Sequence, residues 1–318
     1  MPTLSSSKRK ILITMGDPSG VGPEVIVKAL SDKKISILGH ITVVGDYFAI
    51  NKIKNDLGLR TEFSLVDLSN VPQNNFSYGK SASSYGKASI EYVDKALEMI
   101  GNKEAYALVT APLNKSSVRS AGFKDFEGHT EYMALKTGTK NFSMMFVGSL
   151  LKVTLVTRHL ALKDVAGAVN ADNVYNTIML TADSLKRFFG IKDPRIGVSG
   201  LNPHSGDGGI FGDEELKVIT PAIKKASVDI KNISGPIPAD AIFYEALNGK
   251  FDAIVSMYHD QALAPFKMLY FKDGVNLTLG LPFVRTSPDH GTAFDIAGSG
   301  VADPSSMKEA IRLASALE

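Results

Sequence analysis

The chain of 318 residues contains no cysteine and no tryptophan. The absence of cysteine excludes a disulfide framework, an iron–sulfur centre, a thiolate zinc site and a cysteine nucleophile. Any bound metal ion would be held by histidine, aspartate or glutamate, which favours a single open divalent site over a closed structural one. Hydrophobic residues make up 44% and charged residues 21% of the chain. This composition excludes a disordered chain, a collagen-like chain and a coiled-coil rod.

The chain also lacks an excess of charge and a long apolar run. Its formal net charge is +2, which gives no electrostatic reason to expect binding to nucleic acid or to an anionic membrane. No stretch approaches the ~20 apolar residues that cross a bilayer. The apolar run at 11–15 is shorter than the ~7–15 residues of a secretory signal. We therefore expect a soluble cytoplasmic protein whose first seven residues form a disordered lead-in.

Three common catalytic motifs are absent. The sequence has no Gly-x-x-x-x-Gly-Lys-Ser/Thr, which disfavours a P-loop ATPase. It has no Gly-x-Ser-x-Gly elbow, which weakens a hydrolase interpretation. The glycine-rich segment GDPSGVG (16–22) follows the first predicted strand, but its glycines do not match the Gly-x-Gly-x-x-Gly fingerprint of a standard dinucleotide-binding fold.

Short apolar runs alternate with helical patterns along the chain. Strands are predicted at 10–15, 41–45, 107–110, 143–147, 152–156, 195–199 and 253–257. Helices are predicted at about 23–30, 47–57, 89–100, 171–189 and 214–226. This alternation predicts an α/β fold with a largely parallel sheet. The length suggests two domains, although no clear linker separates them.

Three histidines, His159, His204 and His259, each lie just past a predicted strand. Ligands of open parallel sheets bind beyond the carboxyl ends of the strands, so these histidines could converge. Three neutral imidazoles suit a catalytic divalent ion with an open coordination position. Three unrelated polar loop histidines would give the same pattern, and the spacing alone leaves both interpretations open.

Other residues are open to a functional and a structural interpretation. Lys267 and Arg285 could clamp a phosphate, the arginine bidentately, or could be solvated surface charges. The glycine-rich turn GDGG (206–209) could bring backbone N–H groups to an anion or could be a flexible turn. Asp240 could cap a helix or take part in catalysis.

Eight segments together resemble one family. They are ITMGDPSGVGPE (13–24), VTAPLNK (109–115), GHTE (128–131), GLNPHSG (200–206), GPIPAD (235–240), MYHDQ (257–261), GLPFVRTS (280–287) and DHGTAFDIAG (289–298). In this order they resemble the 4-hydroxythreonine-4-phosphate dehydrogenase family of pyridoxal phosphate biosynthesis, from about residue 10 to the C-terminus. One position departs from the family, since Ala262 stands where a glycine is common.

The resemblance implies an isocitrate/isopropylmalate dehydrogenase-like fold, with two α/β/α domains flanking a cleft. One domain is expected to comprise roughly residues 1–130 and 270–318. The other, roughly 131–269, is expected to bind the metal and form a homodimer that shares the metal site at its interface. The expected partners are a small phosphorylated substrate and a second copy of the chain, without nucleic acid or membrane.

The resemblance also assigns residues to roles. His159, His204 and His259 match the metal ligands. The substrate-binding positions match His129, Thr130, Lys267, Asn276 and Arg285. Asp240 and Asp260 match polar residues of the same site, and with Lys115 they are the candidates for the catalytic base. The segment containing His290, Gly291 and Asp295 resembles the adenine-side NAD loop of isopropylmalate dehydrogenase.

The implied reaction oxidises the C3 hydroxyl of 4-phosphooxy-L-threonine with NAD or NADP and then decarboxylates the product to 3-amino-2-oxopropyl phosphate. One divalent ion such as Zn, Co or Mg would assist it. A paralogue that oxidises 4-phospho-threonate or 4-phospho-erythronate would need the same groups. A non-catalytic protein that binds a phosphorylated metabolite is a further alternative. A metal-dependent phosphatase is disfavoured, because no clustered carboxylates resemble a two-metal site.

Overall fold

The computed structural model describes residues 10–317, so the predicted lead-in lies outside the described residues. The chain divides into two compact units. Unit 1 contains the described residues up to Gly138 together with Leu281–Leu317, and unit 2 contains Thr139–Gly280. The domain boundaries expected near 130 and 270 stay a prediction. Within the described range, no helix is both long enough and apolar enough to cross a membrane.

Unit 1 is built on five parallel strands in the order β3-β2-β1-β4-β11. Its strands are β1 (Lys10–Thr14), β2 (His40–Gly45), β3 (Ser64–Asp67), β4 (Ala107–Thr110) and β11 (Val284–Pro288). Its helices are α1 (Gly22–Ser31), α2 (Lys33–Ser36), α3 (Tyr47–Asp56), α4 (Ser83–Gly101), α5 (Lys115–Ser120), α6 (His129–Thr137) and α12 (Ser305–Ala316). Residues 11–14 of β1 are fully buried, as expected for a central parallel strand whose two faces are both covered.

The strand order of unit 1 brings three loops to one edge. Because β1, β4 and β11 are adjacent and parallel, the loops that follow them leave from the same edge of the sheet. The loop after β1 contains Asp17, the loop after β4 leads to Lys115, and the loop after β11 contains His290.

Unit 2 is built on six strands in the order β10-β5-β6-β9-β7-β8. They are β5 (Ser143–Val147), β6 (Lys152–Leu155), β7 (Ile196–Ser199), β8 (Ile233–Ile237), β9 (Ala253–Ser256) and β10 (Val275–Leu279). The pairs β10–β5 and β5–β6 are antiparallel, and the remaining pairs are parallel. The helices are α7 (Leu162–Ala168), α8 (Ala171–Phe189), α9 (Thr220–Ala226), α10 (Ala239–Leu247) and α11 (His259–Tyr270). An apolar core that includes Phe146, Ile254 and Phe266 joins the sheet to α10 and α11.

The predicted α/β fold with a largely parallel sheet is confirmed. The strands predicted at 107–110 and 143–147 and the helix predicted at 171–189 have those bounds in the structure. The helix predicted at 214–226 is confirmed, with a π-helical turn at Glu215–Ile219 that leads directly into α9. Asp240 does not cap a helix, since Pro238 occupies the cap of α10 and Asp240 lies in its first turn. Ala262 is buried inside α11, where its side chain favours the helix over glycine.

Candidate functional site

A buried arginine is the centre of the polar cluster in unit 1. Arg285 lies on β11 and is only 3% exposed. Its Nη2 donates to Thr110 Oγ1 at 2.6 Å and its Nη1 to Thr130 Oγ1 at 3.4 Å. Thr110 ends β4 and Thr130 is the second residue of α6. Two elements therefore fix the orientation of the guanidinium.

The N-terminus of α6 adds further donors to this cluster. His129 is the first residue of the helix and Gly128 is its cap. A Cβ at Gly128 would lie 4.0 Å from Lys115 Nζ and 3.1 Å from Glu131 Oε2, so a cation and an anion flank the start of α6. His129 Nε2 is buried, and no described group forms a hydrogen bond with it. The free N–H groups at the start of a helix favour a negatively charged ligand.

The electrostatics of this cluster suit a neutral histidine beside a fixed cation. Burial lowers the pKa of His129 well below its ordinary value, and the charges of Arg285 and Lys115 lower it further. Burial also lowers the pKa of Arg285 to about 10, against the opposing effect of Glu131. At neutral pH Arg285 is still charged and His129 is neutral. The guanidinium is the kind of group that binds carboxylate or phosphate bidentately.

A buried carboxyl group lies in the loop after β1. Asp17 is fully buried, and its Oδ1 accepts from the backbone N–H and the hydroxyl of Ser19, both at 2.9 Å. Burial raises the pKa of Asp17, against opposing hydrogen bonds from Ser19 and Ser117. Asp17 was not among the residues predicted to be functional, although it lies in the glycine-rich segment 16–22 that follows the first strand.

The loop predicted to bind the cofactor lies within unit 1. Val21 N donates to Thr292 O at 3.0 Å, which joins the loop to the start of α1. Glu24, fully buried on α1, accepts from Ala302 N at 2.9 Å and from Lys28 Nζ at 2.7 Å. His290 Nδ1 lies 2.9 Å from Gly291 O, and Asp295 is exposed. Glu24 therefore holds this loop, and sequence reasoning missed it.

The three histidines predicted to bind metal lie at the ends of adjacent strands in unit 2. His159 follows β6, His259 begins α11 after β9, and His204 lies in the loop after β7. These strands are neighbours in the order β6-β9-β7 and run parallel. The rings of His159 and His259 have centroids 5.8 Å apart. The ring of His204 instead lies 6.1 Å from that of Phe211.

The donor chemistry of this edge fits a divalent ion only in part. Among residues 10–317, no group of three or more His, Asp or Glu side chains is arranged to hold a metal ion. The imidazoles of the exposed His159 and the half-buried His259 nevertheless lie side by side. Asp260 Oδ1 lies 2.7 Å from His259 Nδ1, an arrangement that fixes the tautomer of a ligating histidine and leaves Nε2 for the metal.

The other predicted site residues of unit 2 lie on separate elements. Asp240 is exposed in the first turn of α10, and Asp260 is exposed in the first turn of α11. Lys267 is half-buried on α11, with Nζ 5.9 Å from the centre of the Phe271 ring. Asn276 lies on β10 opposite Phe146, and its buried Oδ1 has no hydrogen-bond partner among the described residues.

Comparison with known proteins places the chain in a family. The model of the family described as "Pyridoxal phosphate biosynthetic protein PdxA" matches residues 25–314. The chain is 42% identical to the 4-hydroxythreonine-4-phosphate dehydrogenase of Desulforapulum autotrophicum, over 98% of this chain and 96% of that one. It is equally 42% identical to the D-threonate 4-phosphate dehydrogenase of Cupriavidus necator, with 94% of each chain covered.

A solved structure agrees with these matches. The crystal structure of 4-hydroxythreonine-4-phosphate dehydrogenase from Klebsiella pneumoniae superposes with a TM-score of 0.88 at 34% identity, covering 96% of this chain and 98% of that one. The chain therefore belongs to the PdxA family. The family resemblance drawn from the sequence is confirmed.

Proposed function

We propose that this protein is an NAD-dependent dehydrogenase of a phosphorylated hydroxy acid, with 4-phosphooxy-L-threonine as its substrate. The observation that carries the proposal is the anion-binding cluster of unit 1. There a buried arginine, a neutral histidine and the N-terminus of α6 come together around Arg285. The relatives in the family carry the names of dehydrogenases of four-carbon 4-phosphates, which agrees with such a site.

Unit 1 binds the anionic part of the substrate. The guanidinium of Arg285, held by Thr110 and Thr130, donates to carboxylate or phosphate oxygens. His129 Nε2 can form a further hydrogen bond to the substrate, because it is buried and forms none with a described group. In unit 2, Lys267 on α11 and Asn276 on β10 stay predicted substrate-binding residues.

The reaction removes a hydride from C3 and the proton of the C3 hydroxyl, leaving a ketone β to the carboxylate. The C1–C2 bond then breaks with loss of carbon dioxide, and a proton adds at C2 to give 3-amino-2-oxopropyl phosphate. Lys115, Asp240 and Asp260 are the candidates for the group that takes the hydroxyl proton. Lys115 begins α5 beside the start of α6, whereas the two aspartates are exposed on unit 2.

His159, His204 and His259 would hold one divalent ion, at a site shared with a second copy of the chain in a homodimer. When bound, such an ion lowers the pKa of a coordinated hydroxyl and stabilises negative charge on its oxygen. Asp260 orients the imidazole of His259 through the contact at 2.7 Å. Which of Zn, Co and Mg is bound depends on the availability of each metal in the cell as much as on these ligands.

His290, Gly291 and Asp295 would bind the nicotinamide dinucleotide, whose chemistry is to accept the hydride. Glu24 fixes the loop that contains them through its bond from Ala302 N. We propose NAD ahead of NADP, and a cytoplasmic homodimer as the working form.

The experiment follows the absorbance of reduced nicotinamide with purified protein, NAD and a divalent metal. One reaction contains 4-phosphooxy-L-threonine and the other 4-phospho-D-erythronate. Turnover of the amino acid that a chelator abolishes supports the proposal. Turnover of the sugar acid alone would assign the protein to the second candidate function, since the chain is 42% identical to a relative of each name. No turnover with either would leave a metabolite-binding protein.

The metal assignment has its own test. We expect His204→Ala to abolish turnover and leave the fold intact, whereas His40→Ala, at an exposed histidine that begins β2, should change neither. Full activity of His204→Ala would remove His204 from the metal site.

A further inference from the structure

The loop after β7 turns in the left-handed sense. Consecutive residues have φ/ψ of 53/27° at His204, 51/43° at Ser205, 79/−9° at Gly206, 43/58° at Asp207 and 64/19° at Gly208. This region is unfavourable for residues with a Cβ atom, and runs of such residues are rare. The surrounding structure must therefore hold the loop in place.

A buried carboxylate provides this support. Glu215 is 2% exposed. Its Oε1 accepts from Leu201 N at 2.8 Å and Asn202 N at 2.7 Å, and its Oε2 accepts from Asn202 Nδ2 at 3.0 Å. Hydrogen bonds to a carboxylate are about twice as strong as neutral ones. The two residues that it holds directly precede Pro203 and His204.

The same carboxylate closes the loop from the other side. A Cβ at Gly206 would lie 2.7 Å from Glu215 Oε2 and 2.9 Å from Gly212 O, so the backbone of the turn packs directly on the glutamate. Glu215 itself begins the π-helical turn Glu215–Ile219. Such turns occur often at functional sites.

We propose that Glu215 is a positioning residue for His204: its carboxylate anchors the backbone of Leu201 and Asn202 and so holds His204 in the left-handed turn from which it binds the divalent ion. This inference rests on the proposed function, because it takes His204 as a metal ligand. Glu215 acts through the backbone and contacts neither metal nor substrate.

The test uses the full chain after removal of metal by a chelator. Cobalt(II) chloride is titrated into the wild type, Glu215→Gln and Glu214→Gln, and the visible absorption of bound Co²⁺ reports affinity and coordination geometry. Glu214 is the matched control, because among residues 10–317 it accepts from the Asn202 side-chain amide alone, at 2.7 Å. Hydrogen–deuterium exchange of the metal-free proteins reports the loop independently.

We expect Glu215→Gln to bind Co²⁺ about 10–100-fold more weakly, the range found for residues that orient metal ligands. Its spectrum should change, and exchange should rise in the peptide that covers 200–212 while the core strands stay protected. Glu214→Gln should show a smaller change. Gly206→Ala, which disturbs the same contact from the loop side, should reproduce the pattern of Glu215→Gln.

Three outcomes would overturn the inference. If the wild type binds Co²⁺ and Glu215→Gln binds it equally well, the positioning role is wrong and the proposed function stands. If exchange rises evenly across unit 2 in both Glu215→Gln and Gly206→Ala, the glutamate serves general stability. If the wild type itself binds no Co²⁺, the metal part of the proposed function fails, and the inference fails with it.

Discussion

Replacing Arg285 by methionine separates the stability of the protein from its function. The side chain is 3% exposed, and burial lowers its pKa from the ordinary arginine value to about 10. At 1.36 kcal/mol per pKa unit, burying the charged form costs about 3 kcal/mol. The hydrogen bonds to Thr110 and Thr130 return about 1–3 kcal/mol of this. We therefore expect Arg285→Met to leave the free energy of unfolding unchanged or to raise it by up to about 2 kcal/mol.

Differential scanning calorimetry measures this change in Tm, with and without inorganic phosphate. The folded pKa lies below the unfolded one, so the cost of the charge is constant below about pH 10 and disappears only as the pH rises from about 10 towards the unfolded pKa. Any pH between 6 and 8 is therefore suitable. Phosphate should raise the Tm of the wild type, because a ligand at about 100 times its Kd stabilises by about 2.7 kcal/mol. It should not raise the Tm of Arg285→Met.

The matched control is Arg312→Met, at an arginine on α12 that is 46% exposed and pairs with Glu309. Its free energy of unfolding should change by no more than about 0.5 kcal/mol. A loss of about 3–5 kcal/mol in Arg285→Met would refute the reasoning. Such a loss is the signature of breaking a buried ion pair, and it would mean that Glu131 already balances the charge in the free protein.

Three further predictions concern stability. Gly86→Ala should destabilise the protein by about 3 kcal/mol or more, because its Cβ would lie 2.1 Å from the backbone of Ser117. The control is Gly101→Ala on the same helix, whose Cβ would meet no atom within 4 Å and which should leave the Tm nearly unchanged. Equal losses of Tm in the two variants would contradict the packing argument. Asp17→Asn should raise the Tm at pH 7–8, with the gain vanishing towards pH 4, because burial raises the pKa of Asp17 and its charged form destabilises the fold above that pKa. Asp32→Asn should lower the Tm at neutral pH and lose this effect below about pH 3.8, because Lys308 lowers the pKa of Asp32; the same pH trend in both variants would refute the assignment.

Apolar patterning predicted the strands in the middle of the sheet of each unit. It did not predict β10 and β11, which lie on either side of the point where the chain passes from unit 2 to unit 1. Residues 107–110 and 143–147 are short apolar runs bounded by polar residues or turns. By contrast, β10 and β11 contain Asn276 and Arg285 and are separated by Gly280 and Pro282. In β11 the polar run Arg285-Thr286-Ser287 hides the apolar pattern by which a strand is recognised. In β10 the residues VNLTL do alternate between apolar and polar, and this signal was overlooked.

The short helices that carry predicted site residues were missed because they are short. Helices α5, α6 and α11 begin with Lys115, His129 and His259. Sequence reasoning identified all three residues through family motifs, whereas six to twelve residues give little helical periodicity to detect. The left-handed turn at His204 was also beyond prediction. Glycines 206, 208 and 209 indicate a turn, but nothing local shows that a histidine and a serine join it in the left-handed region.

Both candidate sites contain groups whose arrangement reduces the stability of the folded protein. In unit 1, burial lowers the pKa of Arg285 and of His129, so each charged form is disfavoured where it lies. In unit 2, His204 and Ser205 have positive φ angles, each of which costs about 1–2 kcal/mol. Structural residues are rarely held at such cost, and perturbed charges and strained backbone concentrate where ligands bind. The two features are independent, since one is electrostatic and the other conformational. Each therefore supports a binding role for its own unit without reference to the other.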